Sequence, residues 1–102
     1  MTPGVSVMAS TPRILTIVNR RGLHARAAAK FVKTVAPFSA RVTVTREGTT
    51  ASGDSIMGLM MLAAVRGATI EVRAEGPEAD AALAVIEALV CSGFEEDLGE
   101  ET

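Results

Sequence analysis

The chain contains no tryptophan, no tyrosine, one cysteine, one histidine and three phenylalanines among 102 residues. A lone cysteine, Cys91, excludes an intrachain disulfide and a cysteine-built metal site. Beside Leu89 and Val90 at a helical position, it is expected as a small core residue rather than a reactive thiol. With so few rings the core must be built from Val, Ile, Leu, Met and Ala. The same scarcity, with a pI near 5.3, argues against nucleic-acid binding, because bases would have little to stack on. No apolar run approaches the roughly 20 residues that span a bilayer. Residues 1–12 lack a basic residue followed by a long apolar stretch, unlike a secretory signal, so a cytoplasmic location without membrane insertion is expected. There is no Gly-rich loop with an adjacent lysine to hold a nucleotide, and neither a cofactor nor a metal is expected.

What is present suits one compact domain with one core. The net charge of −2 hides a division along the chain. Five of the 12 acidic residues, Glu95, Glu96, Asp97, Glu100 and Glu101, fall in the last eight positions. That leaves seven against all 10 basic residues from Arg13 to Phe94, or about +3 on the folded part. Arg20, Arg21, Arg26, Lys30 and Lys33 concentrate this charge near one place, which fits a phosphate group or an acidic protein partner.

Residues 1–12 carry Pro3, Gly4, Ser6, Ser10 and Pro12 without a sustained period and read as a flexible extension. From Arg13 the pattern changes. Residues 14–18 form a β-rich run that ends at a turn around Asn19-Arg20-Arg21-Gly22. Ala28, Phe31, Val32 and Val35 then follow a helical stripe, predicting a helix from about Ala25 to before Pro37. Residues 41–45 alternate polar and apolar, Glu47-Gly48 offers a tight turn, and residues 49–52 complete a hairpin. Ser55 caps a short helical segment reaching to about Ala64. Residues 68–74 alternate again, and a last helix opens at Pro77 and stops at Gly93. The order βαββαβα predicts an α+β open-faced two-layer sandwich, a four-stranded antiparallel sheet with helices on one face. The domain is expected over 13–94, with an acidic disordered tail over 95–102.

His24 stands at the predicted strand-to-helix junction, within Gly22-Leu23-His24-Ala25-Arg26. There the first helical N–H groups have no intrahelical partner and the macrodipole favours an anion, so a phosphoryl group on the ring would meet backbone donors. Arg26, within the first turn, adds a planar, permanently charged fork for phosphoryl oxygens. Gly22 lets the backbone turn tightly beside the ring.

These residues, the Ala28/Phe31/Val32 helix and the later Gly53-Asp54-Ser55-Ile56-Met57-Gly58 together resemble the HPr family of the phosphoenolpyruvate-dependent phosphotransferase system. The resemblance runs from Arg13 to Gly93. It implies the open-faced sandwich, phosphorylation of His24 through Nδ1 with assistance from Arg26, and a monomeric carrier rather than a self-sufficient enzyme. Enzyme I is the implied donor and an enzyme IIA-type protein the implied acceptor. Ser55 is similarly implied as a regulatory phosphorylation site for HPr kinase/phosphorylase, compatible with its role as a helix cap. Ile56, Met57 and Met60 form a candidate docking patch, although apolar residues at that spacing equally suit a core. One departure is Ala27, where most sugar-pathway members have proline; the chain thereby resembles the nitrogen-related or regulatory branch. The alternative is a small-ligand-binding or purely regulatory α+β module in which His24 is not phosphorylated.

Overall fold

Alternation in the strands and the 3.6-residue period in the helices assemble as follows in the computed structural model, which describes residues 10–96. The strands are β1 (Arg13–Thr16), β2 (Arg41–Arg46), β3 (Thr49–Ser52) and β4 (Thr69–Glu75), and the helices are α1 (Ala25–Val35), α2 (Ile56–Met60) and α3 (Ala79–Cys91). The sheet order is β1-β4-β2-β3, with every neighbouring pair antiparallel. Register is pinned by the buried set: Leu15 lies opposite Ile70, and Val44 lies opposite both Val72 and Ala51. A slip of one residue would turn these side chains to the opposite face. The fold is the α+β sandwich expected from the element order.

The core forms between the inner sheet face and the helices. Phe31 of α1, Leu59 of α2, and Leu83, Ile86 and Val90 of α3 are almost completely buried against Ile17, Val44, Ile70 and Val72. Helix α1 packs on both α2 and α3, and α3 lies on β1 and β4. The other sheet face carries Arg41, Thr43, Thr45 and Arg73, together with Ile14, which stays largely exposed.

Several elements differ from the expected bounds. The segment expected as one helix from Ser55 to Ala64 is helical only over 56–60. Leu62 and Ala63 then donate three residues back, to Leu59 and Met60, and Ala63 takes a φ of +52°. This tightening buries Leu62 and Ala64 and turns the Ala64 carbonyl toward the loop before α1. Helix α3 starts at Ala79 rather than Pro77. Gly76, at φ +126°, passes so close to the Ser39 carbonyl that a Cβ there would sit 2.7 Å from its oxygen. Cys91, expected in the core, is exposed at the last turn of α3, where Leu89 and Val90 take the inward positions.

At the two ends only the residues next to the domain are described. Residues 1–9 and 97–102, most of the expected extension and tail, lie outside the described residues. Ser10 is already tied to the domain, its N–H bonding the Ala74 carbonyl at 3.0 Å and its hydroxyl bonding Asp80. Glu95 and Glu96, assigned to the tail from sequence, belong to a folded turn after α3. Phe94 explains the change: its buried ring carries the chain past the helix end and holds it against the domain.

Candidate functional site

The loop between β1 and α1 is held from two directions. The Leu23 N–H bonds the Ala64 carbonyl at 2.9 Å, and the buried Asn19 donates its side-chain amide to the Gly22 carbonyl at 2.8 Å. Gly22 adopts φ +69°, and a Cβ on it would lie 2.5 Å from the Ala64 oxygen. The position therefore requires glycine both for its torsion and for its close approach to backbone.

His24 is the N-cap of α1, in extended backbone, and its carbonyl accepts the Ala28 N–H at 2.8 Å. The ring itself also caps, Nδ1 accepting from the Arg26 N–H at 3.3 Å. On the far side of the ring, Nε2 lies 2.5 Å from Oε2 of Glu96. A carboxylate oxygen only accepts and a backbone N–H only donates, so these partners assign the proton to Nε2 and leave the lone pair on Nδ1. That lone pair faces the amino end of α1. There the amides of Ala25, Arg26 and Ala27 lack carbonyl partners one turn earlier, and the helix dipole presents its positive end. The side chains of His24 and Glu96 are only 18% and 11% exposed, so water screens their contact poorly.

Arg26 lies in the first turn of α1 with its side chain exposed, and among the described residues its guanidinium forms no ion pair. It is available to an incoming anion. Arg20 and Arg21 are exposed in the preceding turn. Lys30 is committed elsewhere, donating to the Phe94 carbonyl at 2.8 Å, and Lys33 sits in the last turn of α1. The basic cluster expected from sequence is thus divided: its arginines surround the histidine loop, whereas Lys30 ties down the turn after α3.

Ser55 is the N-cap of α2, and its hydroxyl accepts the Gly58 N–H at 2.9 Å. Ile56, Met57 and Met60 do not fill the core; Leu59 alone in that helix is buried, and Met57 is 70% exposed. Met61 and Val65 extend this exposed apolar surface. The surface adjoins the histidine loop through the Ala64 carbonyl and through Val65, whose Cα would lie 3.0 Å from a Cβ on Gly22.

Sequence reasoning missed Asn19, Met61, Val65 and Glu96. For Glu96 the available signal was Phe94 just after the Gly93 stop, since a large apolar residue past a helix end marks a chain that keeps packing. Among the described residues no group of His, Cys, Asp and Glu is large enough to hold a metal ion. None of their helices is long and apolar enough to cross a membrane.

Comparison with known proteins points the same way. The family described as "PTS HPr component phosphorylation site" matches residues 12–92. The phosphocarrier protein HPr of Xylella fastidiosa is 41% identical over 83 residues, covering 81% of this chain and 93% of that protein. The phosphocarrier protein NPr of Escherichia coli is 44% identical over 82 residues, covering 79% of this chain and 91% of that protein. The crystal structure of HPr-C-His from Thermoanaerobacter tengcongensis is similar with a TM-score of 0.82 at 35% identity, over 87% of this chain and 100% of that one.

Proposed function

The chain belongs to the HPr family of phosphocarriers of the phosphotransferase system, and from that premise we propose that His24 Nδ1 accepts a phosphoryl group from phosphorylated enzyme I and delivers it to an enzyme IIA-type acceptor. The observation that carries this reading is the placement of His24 as the N-cap of α1, with its Nδ1 lone pair directed at the helix's amino end. In the forward step Nδ1 forms a bond to phosphorus while the bond to the donor breaks and its electron pair leaves with the donor. The Arg26 N–H, which bonds Nδ1 in the free protein, turns with the other first-turn amides to phosphoryl oxygens. The exposed Arg26 guanidinium closes on the same oxygens, so developing charge meets donors already in place. Acceptance and delivery use the same atoms in reverse order.

Docking is assigned to the apolar surface of Ile56, Met57 and Met60, extended by Met61 and Val65, beside the arginines at the histidine loop. The carrier works as a cytoplasmic monomer and needs no cofactor. Ala27 supports a place in the nitrogen-related or regulatory branch. Ser55, the α2 cap at the rim of the docking surface, is a site where HPr kinase/phosphorylase would alter docking without touching the histidine.

The test is incubation with phosphoenolpyruvate and a general enzyme I. The expected result is acid-labile phosphate on this chain, discharged on addition of a IIA-type acceptor. A folded protein that acquires no phosphate would overturn the reading and favour the ligand-binding alternative.

A further inference from the structure

We propose that Glu96, beyond the last helix, is a positioning residue for His24: it holds the proton on Nε2 and balances the charge that phosphorylation places on the ring. The proposal deepens the phosphocarrier reading and rests on it. It stands on three independent contacts that bring a distant carboxylate to the ring.

The first is the path of the chain after α3. Gly93, Phe94 and Glu95 take φ values of +73°, +59° and +62°, a succession that reverses the chain toward the start of α1. Two non-glycine residues in that region must be held there by packing and hydrogen bonds. Phe94 supplies the packing with a completely buried ring, and its N–H reaches the Leu89 carbonyl at 2.9 Å. The Glu96 N–H closes the turn on the Gly93 carbonyl at 3.1 Å. The second is Lys30, which grips the Phe94 carbonyl from α1 itself, so the turn and the histidine's own helix are fastened together. The third is Asn19. Its buried amide bonds both the Gly22 carbonyl at 2.8 Å and Oε1 of Glu96 at 3.3 Å, leaving Oε2 to face His24.

Carboxylate, ring and reacting nitrogen thus lie in sequence, the order in which an acidic residue fixes a histidine's tautomer and orientation. With Nε2–H held by Glu96, the attacking atom is always Nδ1. When Nδ1 bonds phosphorus, the ring keeps its Nε2 proton and becomes cationic, and the carboxylate beside it compensates that charge. On delivery the P–Nδ1 bond breaks, its electron pair returns to Nδ1, and the departing group is a neutral imidazole. Without the Nε2 proton it would be an imidazolate, a far poorer leaving group.

The test compares the full chain with Glu96→Ala and Glu96→Gln. Ring 15N shifts are read in the unphosphorylated protein, and single-turnover transfer is read with enzyme I and acceptor. Wild-type protein is expected to show a pyridine-like Nδ1 and a pyrrole-like Nε2. Glu96→Ala, in which only the Arg26 N–H on Nδ1 still favours the Nε2 proton, should shift the Nε2 resonance as its acceptor is lost and slow transfer by about tenfold or more, with an unchanged backbone spectrum around α1. Glu96→Gln, whose amide oxygen still accepts from Nε2, should restore the Nε2 shift but only part of the rate. Unchanged ring shifts in Glu96→Ala would overturn the proposal, as would an unchanged transfer rate. Absence of phosphoryl acceptance by the wild type would instead sink the carrier reading, which the ring shifts of the unphosphorylated protein do not depend on.

Discussion

Arg26 and Gly22 serve the histidine in different ways, and each has its own consequence on substitution. Arg26 is exposed and bound to no acidic side chain among the described residues, so Arg26→Ala should leave the fold intact and remove one charged donor from the proposed phosphoryl site. Losing a charge-assisted contact costs about 1.5–3 kcal/mol, or roughly one to two orders of magnitude in transfer rate if the contact acts mainly in the transition state. Rapid-quench measurement of transfer from enzyme I checks it, and an unchanged rate would reduce Arg26 to surface solvation. Gly22 is a structural requirement. Gly22→Ala forces a Cβ against the Ala64 carbonyl at a left-handed torsion, and is expected to destabilise the domain by about 2–4 kcal/mol in urea titration. The placement of His24, Arg26 and Gly22 could be read from sequence because it depends on local order: a cap position, a first-turn cation and a turn glycine. Asn19 and Glu96 were not legible in that way, since they reach His24 only when residues 72 positions apart are folded together.

Helix α2 joins a structural role and a proposed regulatory one at Ser55. Ser55→Ala removes the hydroxyl that accepts the Gly58 N–H, and is expected to cost about 1 kcal/mol in thermal or chemical unfolding. Phosphorylation of Ser55 should act differently. About −2 of added charge at a helix start is electrostatically tolerated, yet it falls beside Asp54 at the edge of the exposed Ile56, Met57 and Met60 surface. An acidic partner drawn to Arg20, Arg21 and Arg26 would be repelled, so the phosphoserine protein should keep its Tm and show a raised KM for transfer from enzyme I. A large drop in Tm, or unchanged kinetics, would return Ser55 to a cap alone. The strands and the ends of α1 were plain in the sequence, through alternation and an uninterrupted apolar stripe. The end of α2 was not, because apolar residues continue past Met60 and only contact with the histidine loop makes the chain tighten there. Cys91 was misplaced for a related reason: spacing put it on a helix, but Leu89 and Val90 filled the inward positions at that turn.

Across the whole molecule, the proposed phosphoryl site and the proposed docking surface lie together at the end of the sandwich formed by the histidine loop, the start of α1 and α2. The outer sheet face, with Arg41, Thr43 and Arg73, takes no part in this arrangement. The order of elements was sufficient to foresee the architecture, because a βαββαβα chain with one apolar face per strand has few ways to close. The turn of residues 93–96 toward α1 was hidden, since an acidic run usually signals solvation and its charge masked the anchoring Phe94. The relatives named HPr and NPr, at 41% and 44% identity, are both named phosphocarrier proteins, and phosphoryl transfer is the chemistry proposed for this chain. The phosphoryl group itself is the most direct measure of that chemistry. Intact-mass and 31P NMR measurements after incubation with phosphoenolpyruvate and enzyme I should find one acid-labile phosphate per chain, bonded to Nδ1 of His24, and none on a folded His24→Ala protein. Phosphate acquired by His24→Ala at the normal rate, or carried by the wild type on a residue other than His24, would contradict the assignment.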